Sequence, residues 1–309
     1  MSTRPFKQVD VFTATPYLGN PLAVVLDGSE LTTESMQHFA QWTHLSETTF
    51  ILPPSVAGAD YRVRIFTPEA ELPFAGHPTL GSCHAWIQAG GTPKNGDEIV
   101  QECAIGLIRI RREGTRLVFA APPLQRSLPE AAQLAQVAEA LGLKARQIVA
   151  AQLLDNGPLW LGLLLDSPQT VLELTPDHPA LKQIGIKVGV AGIEPEQAAN
   201  NLIARSNREA RAFGNRANNA SDLTALDASE LEVRAFAAPL GVLEDPVTGS
   251  LNASLAQWLI AEGHLPKRYI AAQGTCMSRA GRVHLSQDDT GQVWVGGDVV
   301  TCIDGQVEL

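Results

Sequence analysis

The chain has 309 residues, of which 45% are hydrophobic and 18% charged, and its formal net charge is −10. This length suits two globular domains, and the negative charge argues against nucleic acid or an anionic membrane as partner, although local amides can still bind a small anion. The cysteines form no C-x-x-C pair, so we expect neither a zinc site nor a disulfide framework. No apolar run reaches ~18 residues, so we expect no membrane span. No signal peptide is recognised, and we expect a cytoplasmic protein.

The first part of the chain predicts strands, two helices and a hairpin. The central stretch is a strand over Tyr61–Phe66 that leads through Pro68 and Pro73 into a helix, with Pro78 as its first residue and Gln88 as its last. A further helix over 32–42 is expected, capped by Thr32 or the next residue. The other predicted strands cover residues 6–13, 22–26, 45–52, 99–110 and 116–120, the last two as a hairpin turned at 113–114.

The second part repeats this order. Residues 121–129, which are rich in proline, are the best candidate for a linker. Helices are predicted over 130–141, 177–183 and 251–261, and strands over 147–154, 159–165, 187–193, 201–205, 274–285 and 293–299. Residues 208–222 are polar and show no regular pattern.

A short motif occurs twice and indicates an internal repeat. His77-Pro78-Thr79-Leu80-Gly81-Ser82 matches Asp245-Pro246-Val247-Thr248-Gly249-Ser250 in its proline, glycine and serine. Both copies follow an Arg-x-Phe strand and precede an apolar helix that contains tryptophan. Two similar halves whose helix N-termini face each other would form one polar cleft, because each N-terminus offers unpaired N–H groups and partial positive charge. Such a cleft suits a small anionic substrate.

Five segments together resemble the phenazine-biosynthesis PhzF-like family, relatives of diaminopimelate epimerase. They are Gly19–Val25 (GNPLAVV), Ser46–Phe50 (SETTF), Ala75–Thr79 (AGHPT), Glu244–Ser250 (EDPVTGS) and Gly281–Val283 (GRV), in family order. The resemblance implies an α+β fold of two pseudo-symmetric domains, each a curved, mostly antiparallel sheet wrapped around a central helix. We expect the domains at 1–125 and 126–294, with a C-terminal strand at about 295–309 joining the first.

The same resemblance implies a homodimer that needs no metal or organic cofactor and isomerises a dihydro-hydroxyanthranilate by proton transfer at carbon. It assigns the role of general acid/base to Glu47. It implies that Gly76 and Gly249 let the backbone approach the substrate and that His77, Asp245 and Ser250 line the cleft. The expected catalytic residues are therefore Glu47, His77 and Asp245, and the expected substrate-binding residues are Gly76, Gly249 and Ser250.

Each of these residues also has a structural interpretation. Glu47 is either an acid/base in a partly apolar pocket or a solvated glutamate at a strand start. Asp245 precedes a proline and is expected to cap the second central helix, a role compatible with catalysis. His77 is expected at the equivalent cap position, where histidine is not preferred, and Ser250 supports the helix turn or contacts substrate. No cysteine lies near Ala75 or Asp245, the positions that correspond to the cysteine pair of epimerase relatives, so a two-thiol racemase mechanism is not supported.

We therefore predict a cofactor-independent isomerase in which Glu47 moves a proton between carbons of a small carboxylate-bearing substrate. The sequence leaves two alternatives open. One is an epimerase or racemase of another amino or hydroxy acid, and the other is a catalytically silent protein that binds a small molecule.

Overall fold

The computed structural model describes residues 2–193 and 229–309. The predicted strand at 201–205 and the patternless stretch at 208–222 lie outside this range. The described strands are β1 Thr3–Val11, β2 Asn20–Val25, β3 Glu47–Leu52, β4 Tyr61–Phe66, β5 Glu71–Leu72, β6 Glu98–Cys103, β7 Gly106–Glu113, β8 Arg116–Ala120, β9 Gln125–Ser127, β10 Ile148–Asp155, β11 Leu159–Leu165, β12 Lys187–Ile193, β13 Leu231–Ala237, β14 Val242–Asp245, β15 Arg268–Gln273, β16 Gly281–Gln287, β17 Val293–Gly297 and β18 Val299–Glu308. The α-helices are α1 Thr33–Thr43, α2 Gly76–Gln88, α3 Ala131–Ala140, α4 Pro168–Glu173, α5 His178–Ile184 and α6 Gly249–Ala261.

Two central helices organise the sheet. Most of α2 and most of α6 are buried, and α2 packs on β1, β2, β3 and β8 while α6 packs on β10, β16 and β17. A helix that is apolar on every side cannot lie at a surface, which is why the small and apolar residues of both helices sit inside curved sheets. The predicted central helices are therefore confirmed.

The Arg-x-Phe strands of the two halves, β4 and β13, each form an ion pair between their arginine and a glutamate of the next strand. In β4, Arg64 makes two hydrogen bonds to Glu71 of β5, at 2.6 and 2.7 Å. In β13, Arg234 makes two hydrogen bonds to Glu244 of β14, at 2.8 and 3.0 Å. Each guanidinium also lies 5.1 Å from the centroid of the phenylalanine two residues later. The Arg-x-Phe repeat seen in the sequence is therefore a repeat of structure.

The predicted register of the repeat is wrong. The helices begin at Gly76 and Gly249, so Pro73 corresponds to Pro246, whereas the sequence match had paired Pro78 with that proline. The cap positions are Ala75 and Thr248. The shared Pro, Gly and Ser letters of the two hexapeptides were therefore a coincidental match. The structurally equivalent residues are Gly76 and Gly249, at which the two helices begin and touch each other.

Two predicted strands also needed correction. Residues 99–110 form two antiparallel strands, β6 and β7, because the chain turns at residues 104–105 and Gly106 takes a φ of 117°. Residues 274–280 are not strand, since Gly274 takes a φ of 94° and a 3-10 turn follows, so that β16 begins only at Gly281. The proline-rich stretch at 121–129 contains β9, which pairs with β10.

The first and last strands join the two ends of the chain. β1 pairs antiparallel with β18 from Thr3↔Glu308 to Val11↔Val299, with one register shift after Gln8. β17 pairs with β8, so the second half also contacts the first through the sheet.

Thr32 caps α1, as predicted, by accepting a hydrogen bond from the Ser35 N–H at 3.2 Å. Among the described residues, none of the helices combines the length and apolar character that crossing a membrane requires.

Candidate active site

A cavity of about 400 Å³ lies between the two halves of the molecule. Both halves supply its walls, which are mainly apolar: Ser46, Glu47, Thr67, Leu72, Pro73, Phe74, Ala75, Gly157, Pro158, Leu159, Trp160, Gly185, Ile186, Lys187, Ala237, Pro239, Leu240, Val242, Asp245, Thr248 and Ser250. Among these described residues, the ionisable side chains are Glu47, Lys187 and Asp245. A mostly apolar cleft with a few convergent charged groups is the usual form of a small-molecule site.

Glu47 is the first residue of β3 and points its carboxyl into the cavity region. Its side chain is 15% exposed, and its Oε2 lies 3.4 Å from Nδ1 of His77 without a hydrogen-bond partner among the described residues. Burial raises the pKa of Glu47 well above its usual range, the negative charge of Asp245 raises it further, and the charge of Lys187 opposes the shift. The solvated-glutamate interpretation does not fit a side chain that is only 15% exposed.

His77 is the second residue of α2, not its cap, because Ala75 takes the extended conformation before the helix. The ring is buried, and burial lowers the pKa of His77 to about 3, so the imidazole is neutral at working pH. Nδ1 lies 3.4 Å from Nδ2 of Asn20, whose two amide hydrogens already go to Asp245 Oδ1 and the Val247 carbonyl at 2.9 Å each. The ring also interacts with the Pro21 carbonyl, which raises the pKa of His77, and Nδ1 faces both Asn20 Nδ2 and Glu47 Oε2 at 3.4 Å.

Asp245 ends β14 and lies four residues before Gly249, the first residue of α6, so the predicted N-cap role is wrong. Pairing of Asp245 with Ala235 keeps the chain extended there, and Thr248 becomes the cap position. The carboxylate instead accepts hydrogen bonds from Asn20 Nδ2 at 2.9 Å and from Thr248 Oγ1 at 2.6 Å. Burial raises the pKa of Asp245 to about 6, and these two hydrogen bonds oppose the shift.

The two glycines of the site bring the helix tips into contact. A β-carbon at Gly76 would lie 2.8 Å from Cα of Gly249, and one at Gly249 would lie 2.9 Å from Cα of Gly76. Only glycine permits this approach of backbone to backbone. Ala75, Thr248 and Ser250 line the cavity, so the first turns of both helices border it. Glu47, Asp245 and Ser250 thus line the cavity, whereas Gly76, His77 and Gly249 lie next to it without lining it, and the chemical roles of all six remain predictions.

Sequence reasoning missed two residues of this place. Asn20 lies in the GNPLAVV segment of the resemblance but received no role, although its amide joins Asp245 to the His77 ring. Lys187 begins β12 and carried no signal of its own. Its position follows only from the register of the strands, which a single sequence does not reveal. Within residues 2–193 and 229–309, no cluster of three or more His, Cys, Asp or Glu side chains is placed to hold a metal ion.

Known proteins are similar to this chain over its whole length. Residues 9–305 match the model of the family described as phenazine biosynthesis-like protein, PhzC-PhzF. A Schizosaccharomyces pombe protein named antisense-enhancing sequence 1 is 35% identical, covering 99% of each chain. A trans-2,3-dihydro-3-hydroxyanthranilate isomerase from Pseudomonas aeruginosa is 31% identical, covering 97% of this chain and 98% of the relative. A Bacillus anthracis crystal structure of the PhzF family superposes with a TM-score of 0.78 at 20% identity, covering 100% of both chains. The predicted α+β fold of two epimerase-like halves is thereby confirmed.

Proposed function

This chain belongs to the PhzC-PhzF family and is an isomerase of that family, and we propose that it transfers a proton between carbons of a small carboxylate-bearing substrate with Glu47 as the acid/base. The observation that carries the proposal is the state of Glu47: a carboxyl buried beside a neutral histidine, at an apolar cavity that also holds a second carboxyl. Neither a metal nor an organic cofactor is part of the proposed reaction.

Burial and charge prepare Glu47 for proton transfer. Two carboxyls that share one dry site do not both ionise readily, so the charge of Asp245 makes Glu47 a stronger base than a free glutamate. A raised pKa brings a carboxyl closer to the working pH, where it can both take and return a proton. The neutral His77 ring, with Nδ1 at 3.4 Å from Oε2, packs beside the Glu47 carboxyl and limits its movement during the transfer.

The proposed step conserves atoms and charge. Ionised Glu47 removes a hydrogen from a carbon of the substrate as a proton, and the electron pair of the C–H bond enters the adjacent unsaturated system. The resulting negative charge spreads toward a substrate oxygen. Protonated Glu47 then returns the same proton to a different carbon, a new C–H bond forms, and the double bond has moved. No oxidant, reductant or leaving group is required.

The helix tips at Gly76–His77 and Gly249–Ser250 supply the electrostatic part of the reaction. Their first N–H groups have no intrahelical acceptor, and each tip carries partial positive charge. These groups stabilise negative charge that develops on the substrate during proton transfer. Because the tips touch through two glycines, the N–H groups of both helices lie side by side.

The first test is product analysis by proton NMR in deuterated buffer. The substrates are trans-2,3-dihydro-3-hydroxyanthranilate, named after the Pseudomonas aeruginosa relative, and a set of small amino and hydroxy acids. A product with a shifted double bond supports the isomerase. Inversion of a stereocentre with deuterium at that carbon, and no double-bond shift, contradicts it and identifies the epimerase alternative. Binding without turnover of any of them also contradicts the proposal.

A further inference from the structure

Lys187 places a positive charge on the wall of the cavity. It begins β12 directly after the turn at Gly185, which takes a φ of 78° and ends α5. Its Nζ lies 4.8 Å from the centroid of the Trp160 ring, and the parallel register of β11 and β12 pairs these same two residues. The position of Lys187 at the start of β12 and its contact with the Trp160 ring together hold the ammonium at the cavity wall.

Lys187 is the structural counterpart of Glu47. Both residues begin a strand that runs parallel to one neighbour and antiparallel to the Arg-x-Phe strand of the same half. The residues that follow them, Thr48 and Val188, pair with the phenylalanine of that Arg-x-Phe strand. The two halves therefore offer a carboxyl and an ammonium from equivalent positions to one shared cavity.

The ammonium has room for an anion. Among the described residues, Lys187 makes no ion pair within 4.0 Å, although the charges of Asp155 and Glu47 act on it from farther away. Burial lowers the pKa of Lys187 to about 8, so the side chain stays mainly protonated at neutral pH. A desolvated ammonium without a close counterion is unfavourable in free energy, and a ligand carboxylate would supply the missing charge.

We propose that Lys187 binds the carboxylate of the substrate and thereby fixes which carbon faces Glu47. The inference rests on the proposed function and deepens it. The cavity that Lys187 lines has apolar walls, which include Leu159, Ile186 and Val242, and its volume of about 400 Å³ leaves space for a ring-sized substrate. The helix tips are then left to stabilise the charge that develops during proton transfer.

The test measures binding without turnover, by isothermal titration. The probes are 3-hydroxyanthranilate, which has the ring and carboxylate but no hydrogen on a saturated carbon, and 2-aminophenol, which lacks the carboxylate. The wild type should prefer the carboxylate probe by about 10- to 100-fold, the range of a charged hydrogen bond. Lys187→Met should reduce this preference to within about threefold, while Lys187→Arg should retain most of it.

The matched control is Lys182→Met, since Lys182 is an exposed lysine of the adjacent α5. It should leave the preference unchanged. A preference that survives in Lys187→Met, or a wild type that shows none, would overturn the proposal. These outcomes are independent of turnover, so a failure of Glu47 as acid/base and a failure of Lys187 as carboxylate ligand are distinguished.

A pH series keeps the test decisive even where Lys187→Met does not fold. It uses Glu47→Gln, which removes one of the two carboxylates whose charge acts on the ammonium and leaves Asp155; Asp245 stays on the cavity wall and His77 stays neutral. Loss of the Glu47 charge lowers the pKa of Lys187 below its wild-type value of about 8, so the preference for the carboxylate probe should be largest at low pH and should fall before or near pH 8, as the ammonium loses its proton. A preference that stays constant from pH 7 to about 9.5 would overturn the proposal.

Discussion

The contact between the two helix tips provides a sharp test of the site. In Gly249→Ala the new β-carbon would lie 2.9 Å from Cα of Gly76 and 3.1 Å from the backbone nitrogen of His77. Carbon atoms pack at about 3.5–4.0 Å, so the tips must separate by roughly 0.6–1.1 Å. Both obstacles are backbone atoms, which cannot turn aside as a side chain can.

The separation should affect stability and activity to different degrees. Forcing a methyl group into packed structure costs about 1–3 kcal/mol, which lowers the melting temperature by a few degrees in a chain of this size. A misplacement of about 1 Å can cost about 100-fold in rate, because His77 and the charge-stabilising amides would move relative to Glu47. We therefore expect a folded protein with strongly reduced turnover.

The assay pairs thermal melting with turnover of the substrate that the product analysis identifies. Gly305→Ala is the control, since a β-carbon at Gly305 meets no atom within 4 Å and the backbone there has no positive φ. The control should keep wild-type activity and melting temperature. Gly249→Ala with wild-type rate and stability would refute the contact between the tips as a determinant of the site.

Three further predictions follow from the charges. Arg234→Met leaves the buried carboxylate of Glu244 unpaired and should lower the free energy of unfolding by about 3–5 kcal/mol. Arg64→Met, at the more exposed equivalent pair, should lower it by under about 1 kcal/mol. Equal losses for the two variants in urea unfolding would contradict this prediction. The raised pKa of Glu47 means that the native state binds more protons than the unfolded state, so its contribution to stability falls as pH rises above the unfolded value of 4.5. Glu47→Gln should lack this slope, and parallel stability profiles of the two proteins would be the contrary result. Asn20→Ala removes a hydrogen bond that lowers the pKa of Asp245, so the Asp245 carboxyl should titrate at higher pH when followed by carbon-13 NMR; an unmoved titration would exclude this role of the amide.

The sequence was sufficient for the fold and for Glu47, Asp245 and Ser250 at the cleft, although it missed Asn20 and Lys187. Apolar periodicity located both central helices, and the resemblance collected six site residues that the structure brings together. The segments SETTF, AGHPT and EDPVTGS sufficed for this because each lies at or just before the start of an element that borders the cavity. The expected domain boundaries and the homodimer remain predictions.

The sequence was insufficient wherever tertiary contact decides the local structure. The repeat matched at the wrong register because two prolines, Pro73 and Pro78, precede and follow Gly76, and only packing against Gly249 selects the helix start. The cap role predicted for Asp245 failed for the same reason. The role inferred for Lys187 could not be seen at all, because its equivalence to Glu47 follows from strand pairing across about 140 residues.

The central claim is that Glu47 carries the proton, and single-turnover NMR of Glu47→Gln tests it most directly. The variant is compared in deuterated buffer with the wild type and with Glu113→Gln, an exposed glutamate at a hairpin turn. We predict that Glu47→Gln still binds 3-hydroxyanthranilate but isomerises the substrate at least about 100-fold more slowly, the range of general acid–base catalysis, while the control matches the wild type. Undiminished isomerisation by folded Glu47→Gln would contradict the assignment of Glu47 as the acid/base.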